Sequence, residues 1–257
     1  MTNHPARFVA HHTLCELELN HPEIALAVLD PHEMHRLVMR AFLHWVEDGA
    51  RDARAQMRVL HTYVTNLATD TVTLIVQSRV PGDWSRLPRA AWIRPPATRT
   101  VDLPVKTGQT FQFRTVINPN RYAPRTAATT GTRRRLDQRT PTVARTLQWF
   151  TGRLQPYDTE SQGFFAPLGA DTDPATLTAR ILPTLASHSA HIGMRVPRAE
   201  IQGQLTVTHP EAFAETLRCG MGRSRAYGCG LLLAQPIAAP ITPAPRHQSA
   251  QPQLSTP

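Results

Sequence analysis

A glycine loop near the C-terminus, Gly220-Met-Gly-Arg-Ser-Arg-Ala-Tyr-Gly-Cys-Gly230, constrains the fold more than any other segment of the chain. Its glycines permit positive φ angles and close approach of the backbone to a ligand, and its arginines suit phosphate. A helical pattern precedes the loop and an apolar, strand-like run follows it. P-loop and dinucleotide folds have the opposite order, with a strand before the glycines and a helix after them. The loop therefore argues against a nucleotide cofactor and favours a polyanion held against a loop and a sheet edge. The glycines of interest are Gly220, Gly222, Gly228 and Gly230.

The charge of the chain favours an acidic partner. The 257 residues carry 28 basic and 19 acidic side chains, a net charge of +9, and Lys106 is the single lysine. Such a surplus is typical of proteins that bind nucleic acid or an anionic membrane. No apolar stretch approaches the length of a membrane span, and three cysteines without CxxC spacing predict reduced thiols. We therefore expect a cytoplasmic protein with no membrane partner.

Local patterns predict helices and strands in alternation. Asp30 and Pro31 form a helix start, with Asp30 as N-cap, and the apolar face continues to about Glu47. Thr140-Pro141 opens a second helix that ends near Gly152, and a short third helix runs from Pro210 to the glycine loop. The expected strands are 13–19, 58–65, 71–78, 109–117, 163–167, 191–196, 200–208 and 227–235. Residues 1–12 are expected to be frayed, and 79–106 are expected to form a loop.

This order predicts an α+β protein with two tandem ferredoxin-like (RRM-like) βαββαβ domains. The first domain spans residues 1–120 and the second spans 141–236. A basic, arginine-rich link at 121–140 joins them, and a disordered tail follows at 237–257.

Two histidines near the start of the first helix are candidates for proton transfer. His32 and His35 are three residues apart, so they share one side of the helix. Free N–H groups and the positive helix end favour a phosphate there, and the same dipole favours a neutral imidazole that can act as a general base. From spacing alone, however, solvated surface histidines are the simpler interpretation.

The remaining patterns point away from metal or small-molecule cofactors. His32-Glu33-Met34-His35 is one residue short of the zinc motif H-E-x-x-H, and the acidic residues are scattered. If the protein cuts a phosphodiester, its residues permit a metal-independent route with an RNA 2′-hydroxyl as nucleophile. The basic link suits contact with a phosphate backbone through Arg133, Arg134, Arg135 and Arg139.

Several segments together resemble the Cas6e (Cse3, CasE) family, the CRISPR-RNA endoribonucleases of type I-E systems. The glycine loop, with its preceding helix and following strand to Pro236, is the most specific of them. The others are Ile201–Val207, the F-R-x-x-x-N-P strand end within Phe111–Pro119, Arg139–Pro141 with Leu147–Trp149, and the helix start Pro31–His35.

The resemblance implies two tandem ferredoxin-like domains and metal-independent cleavage at the base of a CRISPR repeat stem-loop. The products would carry a 2′,3′-cyclic phosphate and a 5′-hydroxyl, and the enzyme would stay on its product within the Cascade complex. The family's catalytic histidine falls on His35, while its tyrosine three residues earlier falls on His32. The resemblance also implies that Arg133, Arg134, Arg135 and Arg139 hold the hairpin stem, and that Arg223, Ser224 and Arg225 contact its backbone.

Two other functions stay open at this point. The chain is an alternative candidate for a non-catalytic RNA-hairpin-binding subunit of a ribonucleoprotein complex, in which the histidines only complete a helix end. It is also a candidate for a structural subunit without RNA selectivity of its own.

Overall fold

The computed structural model describes residues 5–45, 52–120, 140–154, 167–188 and 192–237. The strands are β1 (Ala6–Glu18), β2 (Leu60–Asn66), β3 (Thr71–Ser78), β4 (Trp92–Val105), β5 (Thr110–Ile117), β6 (Ala170–Asp171), β7 (Thr178–Ala186), β8 (Arg195–Val207) and β9 (Leu232–Pro236). The helices are α1 (Pro22–Leu29), α2 (Pro31–Arg40), α3 (Ala53–Gln56), α4 (Val143–Thr151) and α5 (Pro210–Cys219). None of the helices in these ranges has both the length and the apolar character needed to cross a membrane.

The first sheet is antiparallel and has the strand order β2-β3-β1-β4. Helix α2 covers one face because Met34, Leu37 and Val38 recur at helical spacing and are all buried. They pack on alternate residues of the strands, including Leu74 and Val76 of β3. This packing fixes the side of the sheet on which the two candidate histidines lie.

The second sheet is also antiparallel and contains β9-β5-β8, with β6 and β7 paired to β8. Its core contains Phe111, Phe113, Trp149, Phe150 and Phe213. Trp149 and Phe150 are almost completely buried, so α4 uses its aromatic residues for packing.

Both sheets have the strand order of a ferredoxin-like fold, which confirms the predicted α+β class. The second unit is complete, because α4 follows its first strand and α5 precedes its last strand. In the first unit two short 3-10 turns, Trp84–Arg86 and Arg89–Ala91, stand where a second helix is expected. Pro81 and Pro88 account for this difference, because proline interrupts helical hydrogen bonding.

Several predicted boundaries of helices and strands are wrong, because the pairing of a strand with distant segments cannot be inferred from its own residues. Residues 6–12, expected to be frayed, belong to β1, which pairs with β3 on one side and β4 on the other. The expected loop at 79–106 contains β4, the long edge strand of that sheet. Helix α2 ends at Arg40, well before residue 47, and β8 is one strand in place of two. The last strand starts at Leu232, since 225–227 form a 3-10 turn.

The division of the chain at residue 120 also needs correction at one strand. Strand β5 pairs with β8 and β9, so it belongs to the second sheet. We propose that the two units meet between Val105 and Thr110. The strand expected at 163–167 falls almost entirely outside the described residues, as do the basic link at 121–140 and the tail at 237–257.

Helix α5 joins the two units. It packs against β1 and β4 of the first sheet, and the buried Gln77 Nε2 donates to the Leu217 carbonyl with a distance of 2.7 Å. Phe8 and Ala10 of β1 contribute to the core of the second unit. The end of α5 therefore carries the glycine loop to the first unit, beside α2 and β2.

Candidate active site

The start of α2 is held by a buried carboxylate. Asp30 Oδ1 accepts the His32 N–H at 2.9 Å, which confirms the predicted N-cap. Its other oxygen accepts from Ser187 Oγ at 3.2 Å and from the His188 N–H at 2.9 Å, at the end of β7. Asp30 is only 2% exposed, so one side chain ties the candidate helix to the second unit.

The glycine loop follows α5 and precedes β9, which confirms the predicted order of helix, glycines and strand. Gly220, Gly222, Gly228 and Gly230 all have positive φ. Gly230 is also required for steric reasons, because a Cβ at this position would overlap the Met221 carbonyl oxygen. The loop is also attached to β5, since the Gly230 N–H donates to the Val116 carbonyl at 2.6 Å. The glycines thus allow a tight path close to the first unit.

His35 lies half-buried beside this loop. Its ring meets Tyr227 of the loop edge-on, with centroids 6.3 Å apart and an interplanar angle of 76°. The pKa of His35 is lowered to about 4, first by burial and then by the charges of Arg54 and His32. The sequence predicted a neutral imidazole from the helix dipole; here burial and a nearby arginine favour the same state. The imidazole of His35 is therefore neutral at pH 7.

Arg54, on the four-residue helix α3, is a site residue that the sequence analysis missed. Its Nη1 donates to the Val59 carbonyl at 3.0 Å, which fixes the guanidinium. Its own pKa is lowered, mainly by burial and then by the charge of Arg225 in the glycine loop. Arg54 thus places one cation near His35, and Arg225 of the glycine loop places a second near Arg54, an arrangement suited to an anionic phosphate. No motif surrounds Arg54, so only the tertiary structure reveals it.

His61 on β2 is a second missed residue. It is 1% exposed, and its pKa is lowered to about 3 by burial, His35 and Arg54, in that order. Its Nε2 has no hydrogen-bond partner among the described residues, and a Cβ at Gly228 would lie 3.7 Å from that atom. His61 occupies an ordinary strand position in the sequence, so its spacing gives no signal.

A cleft of about 550 Å³ opens on one side of the glycine loop. Arg223, Ser224 and Tyr227 of the loop line it, together with Asn118 and Arg195 from the second sheet's end. Asn118 Nδ2 donates to Ser224 Oγ at 2.9 Å, which fixes this wall. The cleft also reaches Thr140 and Pro141, at the point where the basic link ends.

The predicted RNA-contacting residues are therefore divided between two sides of the loop. Arg223 and Ser224 face the cleft, whereas Arg225 lies toward α5 and donates from Nη1 to the Cys219 carbonyl at 2.9 Å. Arg133, Arg134, Arg135 and Arg139 lie outside the described residues. Across the part of the chain that the structure describes, no three His, Cys, Asp or Glu side chains gather as a metal would require.

Comparison with known proteins gives a consistent assignment. The family model described as "CRISPR associated protein" matches residues 11–236. The CRISPR-associated endoribonuclease Cse3 of Thermus thermophilus is 29% identical over 213 residues, which cover 80% of this chain and 90% of the relative.

Solved structures agree with that match. A Thermus thermophilus Cse3 structure, bound to an RNA representing a pre-cleavage complex, superposes with a TM-score of 0.66 at 25% identity, covering 89% of this chain and 100% of that one. Escherichia coli Cas6e shares the fold, with a TM-score of 0.59 at 14% identity and the same coverage. A chain of a CRISPR RNA-guided surveillance complex does so with a TM-score of 0.58 at 17% identity, covering 88% of this chain and 100% of that one. The chain therefore belongs to the Cas6e (Cse3) family of CRISPR-associated proteins.

Proposed function

We propose that this protein is a metal-independent endoribonuclease that cleaves precursor CRISPR RNA at the base of the repeat hairpin and stays bound as a Cascade subunit. The observation that carries the proposal is the neutral, half-buried imidazole of His35 between the glycine loop and Arg54. The endoribonuclease name of the Thermus relative and the RNA-bound structure of that protein support it.

In this mechanism His35 accepts the proton of the RNA 2′-hydroxyl next to the scissile phosphate. The 2′ oxygen forms a bond to phosphorus, the bond from phosphorus to the 5′ oxygen breaks, and the leaving oxygen takes up a proton from water. The products are a 2′,3′-cyclic phosphate and a 5′-hydroxyl. Arg54 and Arg225 stabilise the negative charge that builds up on the phosphate oxygens.

His32 stands one helical turn before His35, where the family resemblance implies a tyrosine. We assign it the task of positioning the ribose hydroxyl, because its side chain lies on the same side of α2 and influences His35 electrostatically. Its exchange for tyrosine tests this role, since a phenol would restore the family's residue. We expect the His32→Tyr variant to retain cleavage.

The cleft lined by Arg223 and Ser224 is proposed to receive the hairpin stem. It continues toward the end of the basic link, whose Arg133, Arg134, Arg135 and Arg139 we assign to phosphate contacts along the stem. Recognition there depends on shape and phosphates, because the major groove of A-form RNA is too narrow for side chains to read. A cytoplasmic location accords with this function and with the free thiols of Cys15, Cys219 and Cys229.

One assay tests the function. Labelled repeat hairpin is incubated with purified protein in EDTA, and the product ends are analysed. We expect a cyclic phosphate and a 5′-hydroxyl from the wild type and from a control variant at the exposed His44, His44→Ala, and no product from His35→Ala. Cleavage that requires magnesium would contradict the mechanism. Tight hairpin binding without any product would favour the non-catalytic subunit, and equal affinity for unrelated hairpins would favour the structural one.

A further inference from the structure

A second basic groove, separate from the cleft that we assign to the stem, lies where α5 meets the first sheet. It encloses about 390 Å³ and lies among β1, the end of β3 and the end of α5. Half of its lining residues are arginines: Arg7, Arg58, Arg79 and Arg218. The proposed cleavage mechanism does not use this surface.

The groove has more positive than negative charge. Asp102 pairs with Arg7, and Glu215 contacts both Arg58 and Arg218, at 3.4 Å and 3.2 Å. Two carboxylates therefore face four guanidinium groups, which leaves a surplus of two positive charges. Arg79 is exposed and forms no ion pair or side-chain hydrogen bond within the described ranges. The surplus indicates a polyanion as the ligand.

Basic side chains connect this groove to the candidate active site. Arg54, whose charge lowers the pKa of His35, is followed one turn later by Arg58 at the groove. Arg58 has a φ of +52°, a left-handed conformation that is uncommon outside glycine, and its guanidinium reaches Glu215 on α5. Arg218, near the end of α5, contacts the same Glu215 carboxylate and also donates to the Arg7 carbonyl. The row thus runs from His35 into the groove.

The groove and the stem cleft are lined by different parts of the glycine loop and its flanks. Arg223, Ser224 and Tyr227 line the stem cleft, whereas Arg218, at the end of α5 before the loop, lines the groove. His35 contacts Tyr227, which lines the stem cleft, and it feels the charge of Arg54, four residues before Arg58 of the groove. An RNA strand that is cut at His35 must leave the site on the side away from the stem, and the groove offers a positively charged exit.

We propose that the groove binds the single-stranded RNA on the 3′ side of the scissile phosphate. This inference rests on the proposed function, with the cut at the 3′ base of the stem, so that the stem lies on the 5′ side of the cut. None of the described residues that line the groove is aromatic, so they offer no stacking platform for bases. Recognition therefore depends on phosphates and is independent of the flanking sequence.

Binding measurements test the proposal. The RNAs carry a 2′-deoxy nucleotide at the cleavage position, which removes the nucleophile, and they end either at the base of the stem or after a short 3′ flank. We expect the flank to tighten binding by about three- to tenfold at low salt and to steepen the salt dependence, by about 0.7 per phosphate contact. Uridine and adenosine flanks should have equal effects.

The variant Arg79→Glu and a matched control complete the test. Arg79→Glu should abolish most of the advantage that the flank gives and leave the affinity for the short hairpin unchanged. Arg89→Glu alters an exposed arginine of the first unit that does not line the groove, and it should preserve the advantage.

Three outcomes would overturn the proposal: a flank without effect, an Arg79→Glu variant that weakens both RNAs equally, or one that disrupts only assembly with protein partners. Failure of the groove is distinguishable from failure of the proposed function. If only the groove proposal fails, unmodified hairpin with the 3′ flank is still cut in EDTA, while the flank has no influence on affinity. If the proposed function fails, that same unmodified RNA is not cut.

Discussion

The two units have the same strand order but contribute differently to the candidate site. The first unit supplies the ionisable side chains with lowered pKa values, which are His35 on α2, His61 on β2 and Arg54 on α3. The second unit supplies geometry, through the glycine loop and the cleft beside it. The difference shows that a repeated fold does not imply a repeated function, since the proposed general base lies on one copy and the glycine loop with its cleft lies on the other. Changes to each side should therefore affect different measurements.

After the loss of His35 itself, the largest effect should follow from the loss of Arg54. We expect Arg54→Ala to lower the single-turnover cleavage rate by about 10²-fold, because one of two cations near the phosphate is removed. The pKa of His35 should rise at the same time, since Arg54 now lowers it. Rates across pH measure both effects. A variant that cuts at the wild-type rate would show that Arg54 does not touch the reacting phosphate, and Arg54→Lys should retain part of the rate.

A substitution at Gly230 tests the supporting side. Alanine there combines a positive φ with an overlap against the Met221 carbonyl, so we expect a loss of about 3 kcal/mol in the free energy of unfolding. Gly108 is the matched control, because it has a φ of +79° and no atom within 4 Å of an added Cβ. Urea denaturation should show a clearly smaller loss, about 1 kcal/mol, for Gly108→Ala. Equal losses would mean that the glycine loop is not tightly fixed.

The buried His61 predicts a dependence of stability on pH. Its folded pKa of about 3 lies below the ordinary value of 6.5, so the unfolded chain binds the proton first as the pH falls. Stability from this group is complete above pH 6.5 and decreases below it. Between pH 7.5 and 5 we expect a loss of about 2 kcal/mol that His61→Leu removes. Denaturation at both pH values measures it, and His44→Leu, at an exposed position, should change nothing.

The connection between the two units should give the smallest effect. Asn caps a helix nearly as well as Asp, so Asp30→Asn keeps the N-cap but replaces the oxygen that accepts from Ser187 and His188. We expect a loss of about 1 kcal/mol in unfolding free energy, together with slower cleavage. Asp173→Asn, at the exposed cap of a 3-10 turn, should cost less and leave cleavage unchanged. A cleavage rate unaffected by Asp30→Asn would mean that this contact does not position α2.

The sequence predicted the features that depend on local chemistry. The cap at Asp30, the helix after Thr140-Pro141 and the helix before the glycine loop all have short-range signals, and the structure contains each of them. Strand β1 and strand β4 were missed in part or entirely because their residues are stabilised by pairing with distant segments. Arg54 and His61 were missed for a related reason, since only the fold brings them to His35. A resemblance in sequence located the histidine, and the tertiary structure supplied the groups that set its pKa.

The central claim is that His35 acts as a neutral general base without a metal ion. Its most direct test is the single-turnover cleavage rate of bound repeat hairpin in EDTA between pH 5.5 and 8, for the wild type and His35→Ala. A base with a pKa of about 4 predicts a nearly constant wild-type rate over this range, and a rate about 10³-fold lower for the variant. A rate that falls about tenfold toward pH 5.5 would indicate an ordinary histidine pKa. Cleavage by His35→Ala at close to the wild-type rate, or cleavage that appears only with magnesium, would contradict the account.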